Sequence, residues 1–335
     1  MRTLDTRAER SRLKYAVFIE GGTFRDASLP ERVHIEWRDE DPVPDIEDNA
    51  LLEENAKESF QTLVIDVPSG VDIDEPLHLF FTPGDSIAQR VVLRLGENAS
   101  IRVYEFDYAQ SAVTMNHVVK ADIASGASLH YTVLSDYPAD ASVTVHRLMR
   151  LARAASLSYG SAQFGDSRAF EAGIVHLEGQ NAYAEVNAVG VTDRRQEVVF
   201  NTEIRHRAPA SEGRIAHYGV AGAESFLAFE GAGAIEKGNA GSIARQINRG
   251  IVLGDKARID ATPLLYIDEH DVEASHGAAI GQMDEEQLYY LMSRGLDETA
   301  AQRLIIRGFL QPLDEMLQDE TFERHIQARL SEKIE

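Results

Sequence analysis

Acidic and imidazole side chains crowd one short stretch near the C-terminal end of the chain. Positions 268 to 276 contain Asp268, Glu269, His270, Asp271, Glu273 and His276. Carboxylate oxygens and imidazole nitrogens are good ligands for divalent first-row metals, so the stretch could bind such an ion. The spacing alone favours a solvated acidic edge over a metal site. From the residues themselves both interpretations stay open.

Two short helices are predicted directly after this stretch by their end signals. Asp284 is a good N-cap residue, and the two glutamates that follow it lie in the first turn, where the helix dipole favours negative charge. Gly295 is typical of the residue just past a helix end. Asp297 can then cap a second helix, whose apolar positions are Leu304, Ile305 and Phe309. The pattern predicts two helices joined by a tight corner.

The long middle of the chain predicts strands. From Leu63 to Ile267 the sequence shows short runs of alternating apolar and polar residues and no convincing helix, which is typical of strands that bury one face. Small-residue clusters precede an apolar residue at steps of 28, 28, 27, 31 and 28, at Ile101, Leu129, Leu157, Ala184, Ile215 and Ile243. A near-constant step predicts a solenoid, in which each coil packs on the next. The cluster from Gly254 to Ile259 comes only 16 residues later and breaks the series.

An antiparallel sandwich is the structural alternative to a solenoid. It usually contains several two-residue hairpins, yet the chain has no Asn-Gly and no Asp-Gly dipeptide. The connections are instead small bends rich in Gly, Ala and Ser. This pattern favours a parallel β-helix over a sandwich.

The first 62 residues are predicted to form a separate segment. Tyr15 to Ile19 is strand-like, and a glycine-containing turn leads to a second such stretch around positions 33–35. Positions 39–48 are acidic, hold two prolines and predict a linker. Apolar residues at every fourth position then predict a helix, with Leu52, Ala56 and Phe60 on one face. The predicted division is 1–62 for the N-terminal segment, 63–282 for the β-helix and 283–335 for a C-terminal helical subdomain.

Charge and composition limit the partners. The chain has 33 Lys and Arg against 55 Asp and Glu, a formal net charge of −22. This argues against nucleic acid or an anionic membrane as a main partner, because both need a basic surface. There is no cysteine, so no disulfide and no thiolate is available. No apolar run reaches the ~18 residues of a membrane span, and we expect a soluble, cytoplasmic protein.

Motifs of nucleotide hydrolysis and nucleophilic catalysis are missing. The chain has no Gly-x-x-x-x-Gly-Lys-Ser/Thr loop, so it is not itself an ATPase of that class. No serine lies in a Gly-x-Ser-x-Gly elbow. These residues set up no nucleophile, and we expect a protein without turnover of its own.

Several motifs in combination resemble the SufB/SufD family of iron–sulfur cluster assembly scaffolds. The acidic patch at Asp271 and Val272 precedes Ser275-His276-Gly277-Ala278, and the next helix ends with Gln287-Leu288-Tyr289-Tyr290-Leu291-Met292-Ser293-Arg294-Gly295. Further matches are Val67-Pro68-Ser69-Gly70-Val71, Glu75-Pro76-Leu77, Gly96-Glu97-Asn98-Ala99, His206-Arg207-Ala208-Pro209 and Gln246-Ile247-Asn248. The resemblance covers roughly residues 60 to 312.

This resemblance implies a mainly β fold. It implies a right-handed parallel β-helix with a short N-terminal α/β segment and a C-terminal helical subdomain. It also implies pairing with a SufB-like sister subunit through the β-helix edges, and docking of a SufC-like ABC ATPase on the C-terminal helices. Packing on the β-helix is the alternative role for each helical residue. The residues expected at partner interfaces are Tyr290, Leu291, Arg294, Ile305 and Phe309.

Within the family the chain resembles SufD. SufB-type chains carry a cysteine before the Gly-Asp-Lys turn and a glutamate after the C-terminal histidine, whereas this chain has Asn248 and Gly277. The resemblance therefore implies that His276 takes part in cluster formation at the shared interface. Many relatives have a cysteine where this chain has Ala274, which leaves His276 as the expected ligand of the motif.

The implied cofactor is iron or a nascent iron–sulfur cluster, held between subunits rather than stably by the isolated chain. His276 is the expected ligand, with help from Asp271 and Glu273. Imidazole and carboxylate suit Fe(II), but sulfide capture needs a thiolate, so sulfur must come from the partner. Two alternatives remain open: a minimal system in which a homodimer works with the ATPase alone, and a carbohydrate-active β-helix enzyme.

Overall fold

The computed structural model describes residues 12–21, 23–38, 62–82, 86–109, 111–316 and 319–333. Within these residues two sheets account for most of the chain up to Gln282. The first sheet has the spatial order β2 (Thr23–Ser28), β1 (Tyr15–Glu20), β5 (Leu77–Thr82), β7 (Ser100–Tyr108), β9 (Ser128–Asp136), β11 (Ser156–Gln163), β13 (Tyr183–Thr192), β15 (Glu212–Ala221), β17 (Ile243–Val252) and β19 (Glu273–Gln282). The second has the order β3 (His34–Arg38), β4 (Thr62–Val67), β6 (Ser86–Leu95), β8 (Thr114–Ile123), β10 (Ser142–Leu151), β12 (Arg168–Leu177), β14 (Glu197–His206), β16 (Phe226–Ile235) and β18 (Arg258–Ile267).

Successive strands from β4 onward alternate between the two sheets. Each coil therefore contributes one strand to each sheet, and neighbouring coils pair in parallel along both sheets. This is a β-solenoid, as the repeat predicted. The apolar residues at every second position face the inside of the coils, where they form two core clusters.

The register confirms the first part of the predicted repeat and corrects the rest. Ile101, Leu129, Leu157 and Ala184 lie in one interior column, as expected. The next member of that column is Gly213, because Ile215 pairs with Val186, two residues further on. A two-residue slip keeps a side chain on the same face of a strand, so alternation could not reveal this error.

Two other positions of the predicted series also lie elsewhere in the observed register. Ile243 pairs with Glu212, and its neighbour Ala244 is the residue that continues the interior column. The cluster ending at Ile259 breaks no repeat, because Ile259 lies in the second sheet and pairs with Leu227. One coil contains two strands, and this cluster marks its other half.

Three glycines let large side chains from the second sheet fill the later coils. Gly190, Gly219 and Gly250 follow one another in a single column of the first sheet. A Cβ at Gly219 would lie 2.5 Å from the Leu227 side chain and 2.8 Å from that of Phe229. The column is therefore free of side chains because the opposite sheet occupies that space.

The N-terminal strands close the first end of the solenoid. β2 pairs antiparallel with β1, and β3 pairs antiparallel with β4. The strand around positions 33–35 was predicted, but β2 was missed, since its sequence, Thr-Phe-Arg-Asp-Ala-Ser, has little apolar alternation. The predicted linker at 39–48 and the helix with Leu52, Ala56 and Phe60 lie outside the described residues.

Four helices follow β19 in the described residues. They are α1 (Glu285–Ser293), α2 (Glu298–Phe309), α3 (Gln311–Met316) and α4 (Glu320–Lys333). The predicted corner is confirmed: the Asp284 side chain accepts hydrogen bonds from two backbone amides of α1, Asp297 caps α2, and Gly295 has a positive φ of 100°. Within the described part of the chain, no helix is both long and apolar enough to cross a lipid bilayer.

Helices α2 to α4 run back along the outer face of the first sheet. Their buried side chains pack on residues of β1, β5, β7, β9, β11, β13 and β15, and they are Ile306, Leu310, Leu313, Met316, Ile326 and Leu330. Gly160 lies under this contact, because a Cβ there would come within 2.5 Å of the Met316 side chain. Buried apolar area of this kind stabilises the docked helices by roughly 25 cal/mol per Å².

Polar side-chain contacts to β5 and β9 also hold the tail against the first sheet. Asp319 accepts a hydrogen bond of 2.8 Å from His78 on β5, and Asp136 on β9 lies 2.8 Å from His325 and 3.2 Å from Arg329. These side chains are largely buried, with 4 to 12% of their surface exposed. The tail is thus part of the folded body of the protein.

Candidate functional site at the open end of the solenoid

β19 is the edge of the first sheet and β18 the edge of the second. In the described residues no further coil covers them, and all ten residues of β19 are exposed. An exposed edge strand presents unpaired backbone amides and carbonyls, which form a template for another strand. The last coil is therefore a surface on which a second protein can continue the solenoid's sheets.

The register puts His276 in a column that is buried elsewhere. In that column His276 follows Gln246, which follows Ile215, and both of these side chains are 3% exposed inside the coils. Because residues at paired positions project to the same face, His276 continues the interior column at the open end. Its imidazole is exposed only because it belongs to the last coil.

The two predicted carboxylate helpers lie elsewhere. Glu273 is three residues before His276 in the same strand, so the two side chains project to opposite faces. On its face Glu273 forms an ion pair of 3.0 Å with Arg245 of β17. Asp271 precedes the strand, and its carbonyl oxygen accepts a 2.6 Å hydrogen bond from the Gly241 amide. The chain by itself does not bring Asp271, Glu273 and His276 into one ligand set.

Apolar side chains are exposed around the same end, which the sequence reading did not single out. They are Ile247 on β17, Leu264 and Tyr266 on β18, and Ile280 on β19, with 38 to 56% of their surface exposed. A group of exposed apolar residues is typical of a protein interaction surface. Only their position at the open end of the solenoid identifies these residues as a surface, and the sequence alone does not say which coil is last.

The helical corner presents a second surface. α1 buries none of its residues, Tyr290 is 56% exposed, and the Arg294 guanidinium stacks over the Tyr290 ring at 5.2 Å. Leu291 and Ile305 are partly buried. Phe309 instead packs on the solenoid, where its ring meets Tyr218 edge to face at 6.0 Å.

Among the described residues, one set of possible metal-ligand atoms converges in the interior. Glu105, Asp107 and His117 each offer an atom within 4.8 Å of the others, and all three side chains are buried. Sequence analysis missed this set. The signal was present, since Glu105 and Asp107 continue the inward alternation of Ile101 and Val103 along β7.

Fold and surfaces together define a β-solenoid protein with one exposed coil at which a further chain can pair. The chain belongs to the SufBD family: the profile described as SUF system FeS cluster assembly, SufBD core domain, matches residues 80–309. The family expected from the motifs is thereby confirmed. The description of that profile names iron–sulfur cluster assembly as the system to which such domains belong.

Its similarity to curated relatives named SufD identifies the chain as a SufD-like member of the family. SufD of Bacillus subtilis is 30% identical over 275 residues, which cover 80% of this chain and 63% of that protein. SufD of Escherichia coli is 28% identical over 158 residues, 47% of this chain and 37% of the relative. A SufBD family protein of Pyrococcus horikoshii is 28% identical over 254 residues, 74% and 56% respectively. The chain thus spans less than two thirds of the length of these relatives.

Proposed function

We propose that the chain is a non-catalytic scaffold subunit of a cytoplasmic SUF-type assembly system. Its last coil pairs with a SufB-like subunit, its helical corner binds a SufC-like ABC ATPase, and His276 contributes to an iron or nascent cluster site between the subunits. The observation that carries this proposal is the fully exposed β19 of a SufBD-family solenoid. Family membership also favours a scaffold over a carbohydrate-active β-helix enzyme.

Pairing at the last coil is supported by both backbone and side chains. The edge of β19 offers backbone hydrogen bonds, and apolar residues such as Tyr266 and Ile280 surround it. Main-chain bonds give affinity in strand addition, while side chains on alternate positions give specificity. A SufB-like chain with a similar open coil would bury both edges at once.

The chemistry of the shared site follows from the donors this chain has. His276 offers an imidazole nitrogen, which suits Fe(II), and the sequence has no thiolate. Sulfur ligands therefore come from the partner. Glu273 and Asp271 join the site only through groups that the partner brings to their side of β19. The iron or nascent cluster, which we call the cargo, is thus held by two chains and is released when their interface changes shape.

Movement of that interface is assigned to the ATPase. The proposed docking residues are Tyr290, Leu291 and Arg294 of the corner, with Ile305 beside them on α2. Phe309 has a positioning role, because its ring fixes α2 on the solenoid through Tyr218. A force applied to α1 then reaches the last coil directly, since only Met283 and Asp284 separate β19 from α1.

The test is the His276→Ala variant in a complex reconstituted with the SufB-like chain and the ATPase of the same source. Iron and sulfide bound per complex should fall by about tenfold or more, as expected for a lost ligand. His270→Ala is the matched control, since His270 is an exposed imidazole just before β19. A cluster yield equal to that of the unaltered complex would remove His276 from the site.

The minimal homodimer remains the second candidate, because the open coil can pair with a copy of itself. Light scattering of the isolated chain separates the two. A stable dimer formed without any SufB-like chain favours the homodimer, and a monomer that dimerises only with a sister chain favours the heterodimer.

A further inference from the structure

Three buried side chains in the solenoid interior direct their ligand atoms at one another. Glu105 and Asp107 project inward from β7 in the first sheet, and His117 projects inward from β8 in the second. The His117 Nδ1 atom lies 3.8 Å from Glu105 Oε1 and 3.8 Å from Asp107 Oδ2. All three residues are 0% exposed. We call them the interior triad.

Polar atoms of the interior triad have no hydrogen-bond partner. Within the described residues this holds for both carboxylate oxygens of Asp107 and both ring nitrogens of His117. A buried polar atom left unpaired is destabilising, and native proteins rarely leave such atoms without a partner. Their register neighbours, Gln89 beside His117 and Ser135 beside Asp107, also have an unpaired polar atom.

One guanidinium lies among three carboxylates beside the triad. Arg147 lies between two of them, 3.3 Å from Glu105 and 3.0 Å from Glu171. Glu171 is otherwise satisfied, because Tyr159, Ser161 and Gln163 donate hydrogen bonds to it. Asp107 is the third carboxylate, and both of its oxygens lack a hydrogen-bond partner among the described residues.

We propose that the interior triad binds one divalent transition-metal ion. Two carboxylate oxygens and one imidazole nitrogen form a donor set suited to Fe²⁺, Mn²⁺ or Zn²⁺. Ligands at about 2.0–2.2 Å from a shared ion lie about 3–4 Å apart, which the 3.8 Å separations already satisfy. The ion gives a partner to the Asp107 carboxylate and to His117 Nδ1, and its positive charge lies among the carboxylates.

Such an ion joins the two sheets across the middle of the solenoid. β7 and β8 are consecutive strands that lie in different sheets, so the ion links the two sheets through the interior. Because the triad is enclosed by coils on both sides, the ion enters while the coils form and leaves only when they open. This site is separate from His276. Its ion stabilises the fold and is not the iron or cluster of the proposed interface site.

Because the triad is enclosed, the experiment adds the metal during refolding. The chain is unfolded in urea with a chelator, freed of both, and refolded with or without Zn²⁺. Elemental analysis after dialysis against chelator should find about one tightly held zinc per chain, with a higher Tm for the zinc-loaded sample. Asp107→Asn should lose the zinc and the Tm rise.

Two controls keep the outcome decisive. His276→Ala should hold zinc as the unaltered chain does, which separates this site from the proposed cargo site. His217→Gln changes another buried interior histidine, one already bonded to Thr202 and Asn248, and should also retain zinc. Equal zinc in the unaltered chain and Asp107→Asn, or loss of zinc in His276→Ala alone, overturns the proposal. If Asp107→Asn does not fold, the absence of a zinc-dependent Tm shift in the unaltered chain does the same.

Discussion

Two ion pairs of the same length lie in opposite surroundings. Arg147 and Glu171 are 3.0 Å apart inside the closed coils, with 1% and 5% of their side chains exposed. Arg245 of β17 and Glu273 of the last strand, β19, are also 3.0 Å apart, but with 45% and 71% of their side chains exposed. The first pair has exchanged its water for protein partners, and the second has not. Charged groups inside the closed coils are thus paired within the protein, while those at the open end remain accessible to a partner.

The two ends of the solenoid repeat this contrast. At the first end, antiparallel β2 and β3 cover the sheets, and Trp37 and Val33 pack against the interior core. At the other end, within the described residues, β18 and β19 have no covering strand. Solenoids need caps to stay soluble and monomeric. This protein supplies one cap from its own chain, and we infer that a partner supplies the other.

The largest expected effect comes from the closed coils. Arg147→Met leaves Glu105 and Glu171 buried without their shared cation, and we expect a loss of about 3–5 kcal/mol in the free energy of unfolding. Urea denaturation measures it. A loss below 1 kcal/mol would show that the interior pair behaves like an exposed one, and the contrast between the two regions would fail.

The pH dependence of stability distinguishes an enclosed histidine from an open one. Burial lowers the pKa of His217 from its ordinary value of 6.5 to about 4. Between these values the unfolded chain binds a proton that the native chain does not, so stability falls as pH falls through this window. His217→Gln should remove about 2 kcal/mol of the loss between pH 7 and 4.5.

The matched variant for this measurement is His276→Ala. His276 is exposed in β19, so its replacement tests whether the loss of any histidine, rather than of an enclosed one, changes the measurement. Urea titrations at both pH values compare the three proteins. A slope for His217→Gln equal to that of the unaltered chain would show that His217 takes up a proton freely in the folded state.

The next effect concerns assembly. Ile280→Asp puts a charge on the open coil, and we expect partner binding to weaken by about tenfold or more, roughly 1.4 kcal/mol. Phe24→Asp is the control at the capped end, since Phe24 is 39% exposed and Ile280 38%. Native mass spectrometry with the partner chain measures both. Equal weakening by the two variants would mean that the ends do not differ.

The smallest effect is expected for Arg245→Met. The Arg245–Glu273 pair is exposed and screened by solvent, so its loss should change the free energy of unfolding of the isolated chain by less than about 1 kcal/mol. Thermal unfolding checks this. A destabilisation as large as that of Arg147→Met would mean that the last coil is as enclosed as the others.

Much of this architecture could be predicted from the sequence because local rules determine it. Alternation predicted the strands, the repeat of Ile101, Leu129 and Leu157 predicted the coils, and Asp284 and Asp297 predicted the helix starts. The slip at Ile215 could not be seen, because a shift of two residues along a strand preserves the inward face.

The site could be predicted only in part, since it depends on relations between coils. The period of two already implies that Glu273 and His276 face opposite sides, but not which side is interior. That His276 is exposed depends on there being no coil over β19 among the described residues. The interior triad was missed because a charged residue in a strand is normally assigned to the solvent face. Glu105 and Asp107 break this rule.

The helical tail changes how the solenoid comes apart. A stack of coils normally frays from its ends, one repeat at a time. Here the contact between His78 and Asp319 joins positions 241 residues apart, and the tail lies across seven strands of one sheet. A terminal coil can unfold only after the helical tail has detached from the sheet. We expect all-or-none melting, in which the exposed coil stays as ordered as the centre while it waits for a partner.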